Sequence, residues 1–316
     1  MIITITLNPS IDMNYQLNTL KINEVNRSSN PILTAGGKGL NVTRVIHQND
    51  APVIATGFLG GLTGTFIQQQ LDQQGIEHHF VPIKQSTRHC LALMHDGNQT
   101  EVLENGPEIS PEEKSAFLQQ YEKLLKQADV VTASGSIPKG LGTDFYRQLI
   151  ELANKNGKKF ILDSSGEALK EGIKAKPFLI KPNQYEIEAL IGRTVDSQKE
   201  LVEAIKELTS NGPKNIVVSL GSKGALAYLN RTFYRIHAAK ISAVSAVGSG
   251  DSMLAGLALG TDRGYNAEKI LALGSTFGTL NALESATGLI NMERIDEFMK
   301  KVSVTGLGEK NLKKNN

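Results

Sequence analysis

A glycine-rich segment near residue 250 combines residue types that could support phosphoryl transfer. It reads Val247-Gly248-Ser249-Gly250-Asp251-Ser252 and is followed by an apolar helical pattern. Because Gly248 and Gly250 lack a Cβ atom, successive backbone N–H groups can converge at the start of that helix, where anions bind favourably. Asp251 stands where a carboxylate could accept the proton of an attacking hydroxyl. A carboxylate in the first helical turn also stabilises the helix dipole, so this segment alone leaves both interpretations open.

A second glycine turn lies far upstream, at Ala35-Gly36-Gly37-Lys38-Gly39-Leu40-Asn41-Val42. It too precedes a helical pattern, and it adds a cation at Lys38 and an amide at Asn41. It is not a Walker loop, because Lys38 is followed by Gly39 instead of Ser or Thr. Two anion-binding turns, one with a lysine and one with an aspartate, predict two phosphate-bearing ligands.

The composition excludes several classes of function. The formal net charge is only +2, so no overall field draws the protein onto nucleic acid or a membrane surface. No apolar run approaches the length of a membrane span, and Met1–Thr6 looks like a strand without the charged start of a signal peptide. Cys90 is the only cysteine, which rules out an intrachain disulfide and fits a reducing compartment. We therefore expect a cytoplasmic enzyme that binds neither nucleic acid nor membrane.

Short β-branched segments alternate with helical patterns along most of the chain. This alternation predicts an α/β fold with a doubly wound, mostly parallel sheet flanked by helices, whose ligands gather at the carboxyl ends of the strands. Helices are predicted to begin at Lys38 and Gly64. The predicted strands are residues 2–7, 53–58, 129–133, 159–163, 178–180 and 215–219.

Two stretches, 12–33 and 89–103, interrupt this rhythm. In each, short alternating segments follow one another without a helix between them, which predicts a small separate sheet. The tail from Gly306 to Asn316 is rich in lysine and asparagine, and we predict that it is frayed.

With both glycine turns in view, the chain resembles the ribokinase-like carbohydrate kinases, specifically their phosphofructokinase-B branch. The turn at 35–42 is similar to the first signature of that family and the turn at 247–252 to the second, with Ser249 where alanine is commoner. The resemblance runs nearly end to end. Within the branch, the segments Thr6–Asp12, Val25–Arg27 and Gln99–Glu104 look most like tagatose-6-phosphate kinases, with 1-phosphofructokinases close behind.

The resemblance implies one ribokinase-like kinase domain over residues 1–316, with ATP as co-substrate and Mg²⁺ as cofactor. The segments 12–33 and 89–103 would form a β-sheet lid that closes over the sugar site and joins two copies as a homodimer. Asp251 would be the general base, and Gly248, Ser249 and Gly250 would supply the backbone cradle for the transferred phosphoryl group.

On the sugar side, the resemblance implies that Asp12, Gly37 and Asn41 bind hydroxyl groups. Ser136 is expected to line the same site, because it directly follows a predicted strand. Asp12 could instead form an Asx turn after Pro9, and Asn41 could be a capping or solvent-facing amide.

A sugar that already carries a phosphate needs cations that do not serve ATP. The candidates are Arg27, Lys38 and Arg88, since a guanidinium can bind phosphate through two parallel hydrogen bonds. A lone arginine on a strand can also be a solvated charge that guards a sheet edge. His89 departs from the family, which commonly has asparagine there, and this difference bears on substrate choice.

On the nucleotide side, Lys181-Pro182-Asn183-Gln184-Tyr185-Glu186 fits the N-x-x-E motif of the family. The resemblance implies that Glu186 organises Mg²⁺ through water, although Asn183 and Glu186 could equally form a helix capping box. The other nucleotide-binding candidates are Lys181, Ser219, Gly221, Gly224 and Asn281, the last of them near the adenine.

The resemblance implies a kinase that converts D-tagatose 6-phosphate and ATP into D-tagatose 1,6-bisphosphate and ADP. A 1-phosphofructokinase is the close alternative, because it would use the same residues on a sugar that enters reversed. Two further alternatives are a sugar-phosphate-binding regulator without turnover and a nicotinamide dehydrogenase. Intact Asp251, Gly250 and Glu186 argue against the regulator, and Asn8-Pro9 after the first strand argues against the dehydrogenase.

Overall fold

The computed structural model describes residues 1–308, which form two β-sheets with helices packed against the larger one. In chain order the strands and helices are β1 (Ile2–Thr6), β2 (Ser10–Gln16), β3 (Ile32–Gly36), α1 (Lys38–Gln48), β4 (Val53–Gly60), α2 (Gly61–Gln73), β5 (Glu77–Ile83), β6 (Arg88–His95), β7 (Asn98–Leu103), α3 (Pro111–Leu125), β8 (Val130–Ser134), α4 (Phe145–Lys155), β9 (Lys159–Asp163), α5 (Gly166–Lys174), β10 (Leu179–Ile180), α6 (Gln184–Ile191), α7 (Gln198–Asn211), β11 (Asn215–Ser219), β12 (Ala225–Leu229), β13 (Thr232–His237), α8 (Ser249–Asp262), α9 (Ala267–Asn281), α10 (Ile295–Met299) and β14 (Ser303–Leu307).

The larger sheet has the strand order β14-β13-β12-β11-β10-β9-β8-β1-β4-β5. Its strands from β11 to β5 are parallel, and the hairpin strands β12, β13 and β14 add an antiparallel edge. Every residue of β1 and β8 is buried, as expected for strands with helices on both faces. The prediction of a doubly wound, mostly parallel sheet is therefore confirmed.

The chain order reverses at β1, which lies between β4 on one side and β8 on the other. In open α/β sheets, ligands bind at such a switch point, beyond the carboxyl ends of the strands. Asn8, Ser136 and Lys181 follow the ends of β1, β8 and β10, and Asp163 is the last residue of β9. The fold thus brings side chains from distant parts of the sequence to one edge of the sheet.

The smaller sheet has the order β3-β2-β6-β7, with β2 and β6 parallel and the two outer pairs antiparallel. This confirms that the two irregular stretches pair with each other. The strands extend slightly beyond the predicted segments, because Ser10 pairs with both Gly36 and Arg88. Residues 17–31 connect β2 to β3.

Several predicted boundaries differ from the observed ones, most of them by one or two residues. Helix α2 begins at Gly61, three residues before Gly64, since the Thr87 hydroxyl accepts a hydrogen bond from Gly60 N (3.0 Å) and holds the start of the helix. The tail is ordered through Leu307, because Gly306 and Leu307 pair with β13. The rest of the predicted frayed segment, from 309 on, lies outside the described residues.

Helices α1, α8 and α9 pack together on one face of the larger sheet. Helix α8 is buried along nearly its whole length, and a Cβ atom on Gly256 would lie only 2.7 Å from Leu273 O of α9. This close packing holds the N-terminus of α8 rigidly at the edge of the sheet. None of the helices within residues 1–308 is both long and apolar enough to cross a membrane.

Candidate active site

Asp251 lies in the first turn of α8, at the carboxyl edge of the larger sheet, and its side chain is buried. Gly248 caps the helix with a φ of 82°, and a Cβ atom there would lie 2.8 Å from Asn281 Oδ1. Burial raises the pKa of Asp251 to about 6, and the negative charge of Asp163 contributes to this rise. A carboxyl group with this pKa is ionised at neutral pH yet basic enough to accept a proton.

Asn41, on the first turns of α1, donates a hydrogen bond from Nδ2 to Asp251 Oδ2 at 2.8 Å. The two residues are 210 positions apart in the sequence, and both are buried. The bond favours the ionised carboxylate and lowers the pKa of Asp251 against the effect of burial. The two predicted glycine turns therefore meet at this pair.

Two lysines and a second aspartate surround Asp251. Lys181 Nζ lies 3.2 Å from Asp163 Oδ2 in a buried ion pair, and 3.4 Å from the position that a Cβ atom on Gly250 would take. The carboxylates of Asp163, Asp251 and, more weakly, Glu186 raise the pKa of Lys38, although burial opposes this. Two ammonium groups therefore adjoin the N-terminus of α8.

Lys38 lies close to the carboxylates around Asp251. From the sequence, we predicted that Lys38 binds the non-reacting phosphate of the sugar. In the structure its ammonium group interacts with the carboxylates around Asp251. A cation there is well placed to neutralise a transferring phosphoryl group. Ser249, which replaces the commoner alanine, adds a buried hydroxyl with no hydrogen-bond partner in the described part of the chain.

Asp12 lies on β2, in the small sheet, and is bonded to the first glycine turn. The Ser10 hydroxyl donates to Asp12 Oδ1 at 2.6 Å, and the Gly37 backbone N–H also donates to this carboxylate. A Cβ atom on Gly36 would lie 2.0 Å from Asp12 Cγ, so glycine is required there. Burial raises the pKa of Asp12, while the nearby charges of Arg44 and Arg88 oppose the rise.

A groove of about 330 Å³ opens between the two sheets and is lined by Asn8, Arg88, Ser136 and Lys139, among others. Asn8 Nδ2 donates to Ser136 Oγ at 3.1 Å. Arg88 donates to Glu104 O at 2.8 Å and to Asn8 O at 3.2 Å, which fixes its guanidinium at the wall of the groove. The groove therefore carries two cations, Arg88 and Lys139, together with the carboxylate of Glu104.

Two further residues of the predicted lid segments, Arg27 and His89, lie in different surroundings. Arg27 is exposed in the connection between β2 and β3 and does not line the groove. His89 is held by Glu104, whose Oε2 accepts a hydrogen bond from His89 N at 2.8 Å and lies 3.6 Å from its Nδ1. The departure from asparagine thus replaces an amide by a ring that can pair with a carboxylate.

Asn183 and Glu186 form the capping box of α6. Glu186 N donates to Asn183 Oδ1 at 2.9 Å, and Asn183 N donates to Glu186 Oε2 at 2.8 Å. Within the described residues Oε1 of Glu186 accepts no hydrogen bond, and the carboxylate is near enough to Lys38 to raise its pKa. The capping alternative is correct, and it leaves one oxygen available to a hydrated cation.

The remaining nucleotide-site candidates lie near the ends of β10 and β11 and near α8. Ser219, the last residue of β11, forms an isolated β-bridge with Asn183, which follows β10. The ends of these two strands are therefore adjacent. Gly221 and Gly224 have φ angles of 58° and 86° in the following turn. Asn281 is fully buried, and its Nδ2 donates to Ala286 O and Leu289 O at 3.1 and 3.0 Å. The Asn281 amide therefore holds residues 286–289 close to Gly248. Its contact with adenine stays a prediction.

Sequence reasoning missed Asp163 and Lys139. Asp163 is the last residue of a correctly predicted strand, so its place at the ligand edge of the sheet was a usable signal. Lys139 stands three residues after Ser136 in a loop, where nothing local distinguishes it from a surface lysine. Only the structure shows that it lines the same groove as Arg88.

Comparison with known proteins identifies the family of this chain. The model of the pfkB family of carbohydrate kinases matches residues 5–294, and the chain therefore belongs to that family. The recognition made from the two glycine turns is confirmed, and with it a phosphotransferase that uses an alcohol group as acceptor.

Several solved structures are similar over almost the whole chain. A provisionally assigned phosphofructokinase from Staphylococcus aureus is 32% identical, with a TM-score of 0.85 over 97% of this chain and 99% of that one. Phosphofructokinase-2 from Escherichia coli is 28% identical, with a TM-score of 0.88 over 95% and 98%. Ribokinase from Arabidopsis thaliana, at 19% identity and a TM-score of 0.77 over 95% and 98%, shows that the fold is ribokinase-like.

Proposed function

We propose that this protein transfers the γ-phosphoryl group of ATP to the primary O1 hydroxyl of a ketohexose 6-phosphate, with D-tagatose 6-phosphate as the first candidate. The observation that carries the proposal is the buried carboxylate of Asp251, with a pKa of about 6, beside two lysines at the N-terminus of α8. An alcohol is a weak nucleophile, so a base of this strength next to an anion site is what the reaction needs.

In the proposed reaction, Asp251 accepts the O1 proton as O1 forms a bond to the γ-phosphorus. The bond between that phosphorus and the oxygen bridging to the β-phosphate breaks, and ADP leaves with the electron pair. Lys38, Lys181 and the backbone N–H groups of Ser249 and Gly250 stabilise the negative charge on the transferring group.

Mg²⁺ fits the chemistry of the residues present. Bound together with ATP, it would supply positive charge that neutralises the phosphates. Glu186 would hold it through water, because one of its oxygens is used by the capping box and the other accepts no hydrogen bond within residues 1–308. A hydrated ion held by a single carboxylate suits Mg²⁺, which keeps several of its waters.

The groove between the sheets supports a sugar that already carries a phosphate. Arg88 and Lys139 provide two cations at its wall, and Asn8 and Ser136 provide groups for sugar hydroxyls. Asp12, Gly37 and Asn41 would bind the hydroxyls nearer to Asp251. The related phosphofructokinase-2 from Escherichia coli has been crystallised with fructose-6-phosphate, which supports a hexose 6-phosphate as the class of substrate.

Fructose 1-phosphate is the second candidate. The site requires a primary hydroxyl at Asp251 and a phosphate near Arg88 and Lys139, and this sugar meets both requirements if it enters reversed. The choice depends on which hydroxyls face Asp12 and Asn41.

The small sheet would act as the lid and as the contact of a homodimer. Its outer strands expose Ile32, Leu33, Val102 and Leu103, of which three are more than half exposed, and such edges need a cover. The relative from Escherichia coli has been crystallised in a tetrameric inhibited form. The lone cysteine and the ATP requirement suit the cytoplasm.

The deciding measurement is kcat/KM with Mg·ATP for tagatose 6-phosphate, fructose 6-phosphate and fructose 1-phosphate, because that ratio defines specificity. We expect both 6-phosphates to be used, tagatose 6-phosphate preferably. A preference of more than about tenfold, or about 1.4 kcal/mol, for fructose 1-phosphate would reject the assignment of tagatose 6-phosphate as substrate. It would still agree with the proposed kinase activity. Tight binding without turnover of any of the three would support a regulator instead.

A further inference from the structure

Arg44 lies on α1, one turn after Asn41, and its guanidinium touches two parts of the site at once. Its Nη2 donates a hydrogen bond to Asn41 Oδ1, and its Nη1 donates to Ala35 O on β3 at 2.5 Å. A Cβ atom on Gly288 would lie 3.1 Å from Arg44 Nε, so the segment around Gly288 packs directly on the guanidinium. The side chain is thus held between the small sheet and the residues that follow α9.

We propose that Arg44 is a positioning residue for the general base, because it fixes the direction of the Asn41 amide and through it the ionised form of Asp251. The proposal rests on the proposed function of Asp251. A guanidinium carries donors only, so the amide oxygen of Asn41 must face Arg44. The amide NH₂ group then must face Asp251, and an ionised carboxylate offers acceptors only.

The polarity of this chain of hydrogen bonds therefore has one direction, from Arg44 through Asn41 to Asp251. If the amide turned over, its oxygen would face the carboxylate, and the two acceptors would repel each other. Such a contact favours the protonated acid, which cannot act as a base. Arg44 prevents that orientation through its hydrogen bond to the Asn41 amide oxygen.

The charges around these groups agree with this role. Asp251 faces Asn41 and Lys38 from α1, Asp163 from the end of β9 and Lys181 from the end of β10. Arg44 faces the negative charges of Asp12 on β2 and Asp251 on α8, which oppose the lowering of its pKa by burial. Arg44 is therefore a buried cation that interacts electrostatically with both the predicted sugar-binding aspartate and the predicted base.

The test compares Arg44→Met with wild type in the pH dependence of kcat/KM. Methionine removes the donors and keeps a long side chain, so we expect the acid limb to move to higher pH by about one unit. We also expect kcat at pH 7 to fall about ten- to hundredfold, as is usual when an outer hydrogen-bond partner of a site is lost. The substrates titrate identically in both assays, so the difference belongs to the protein.

A double-mutant cycle separates positioning from a general structural role. If Arg44 acts through Asn41, the loss in Asn41→Ala/Arg44→Met should be no greater than in Asn41→Ala alone. Additive losses, or a lower kcat with an unmoved acid limb, would overturn the proposal. Arg193→Met is the matched control, because Arg193 pairs with Glu207 on the surface, and we expect its pH profile to be that of wild type.

Thermal unfolding shows whether each variant is folded at the assay temperature. Should Arg44→Met be unfolded, Arg44→Leu carries the same test, since leucine also removes every donor to Asn41 and should move the acid limb in the same direction. An unmoved limb in folded Arg44→Leu would then reject the proposal. A wild-type protein that turns over no sugar phosphate would instead reject the proposed function, so the two failures are distinguishable.

Discussion

Lys181 Nζ lies 3.2 Å from Asp163 Oδ2, and both side chains are almost completely buried at the ends of neighbouring strands. The pair carries no net charge, but its members act on Asp251 in opposite directions. Asp163 raises the pKa of Asp251 and Lys181 lowers it. The pKa of Asp251 is therefore set in part by two opposite charges at the ends of neighbouring strands.

Asp163→Asn should move the acid limb of kcat/KM to lower pH. The substitution removes a negative charge beside Asp251 and leaves Lys181 without its partner, so both changes lower the pKa of Asp251 from about 6. The uncompensated lysine should also reduce the free energy of unfolding by about 3 kcal/mol or more. Rate profiles and denaturant unfolding measure the two effects.

Asp262→Asn is the control for this variant. Asp262 ends the same helix and pairs with the N-terminal ammonium at 3.0 Å, far along α8 from Asp251. Its pH–rate profile should match that of wild type. Equal movement of the acid limb in both variants would mean that Asp163 does not tune the base.

Asp251→Asn should abolish most turnover and leave substrate binding nearly intact, because it removes a proton acceptor and little volume. We expect kcat to fall by about 10² to 10⁴. Steady-state kinetics together with calorimetric titration of ATP and the sugar phosphate check this. A loss below about tenfold would show that Asp251 is not the base.

The same substitution should stabilise the folded protein at neutral pH. Burial raises the pKa of Asp251 to about 6, so the ionised side chain destabilises the fold above that pH. Asparagine removes this cost, and we expect the free energy of unfolding to rise by roughly 2 to 3 kcal/mol at pH 8. The gain should shrink as the pH falls from about 6 to 4, where the wild-type carboxyl group becomes neutral in both states. A gain that does not depend on pH would contradict this explanation.

Lys139→Ala should raise KM for the phosphorylated sugar about tenfold and leave KM for ATP unchanged, because it removes one charge-assisted contact to the non-reacting phosphate. Lys139 is the cleaner probe of the groove, since Arg88 also holds Asn8 O and Glu104 O in place. Arg88→Ala and Arg27→Ala should act in the same direction if these arginines reach the phosphate.

Two comparisons decide whether Lys139 acts through that phosphate. An unphosphorylated ketohexose should be used equally well by wild type and Lys139→Ala. Lys199→Ala, which alters an exposed lysine on α7, should leave both KM values unchanged. Equal damage with the unphosphorylated sugar would mean that Lys139 shapes the groove and does not bind the phosphate.

The sequence by itself was sufficient for the class of fold and for the two glycine turns at which α1 and α8 begin. Glycine at Gly37 and Gly248 is required by φ angles of 108° and 82°, and this requirement shows as a local pattern before a helix. The alternation of apolar strands and helices likewise reports which elements are buried, because periodicity depends only on near neighbours in the chain.

Only the tertiary structure decided which side chains meet. Asn41 and Asp251 are 210 residues apart, and their contact depends on the order of strands in the sheet and on the packing of α1 against α8. The same is true of the Asp163–Lys181 pair and of Lys139, whose local surroundings in the chain resemble those of ordinary surface residues. A pKa depends on burial and on charges within a few ångströms, and neither quantity is encoded in the spacing of residues along the chain.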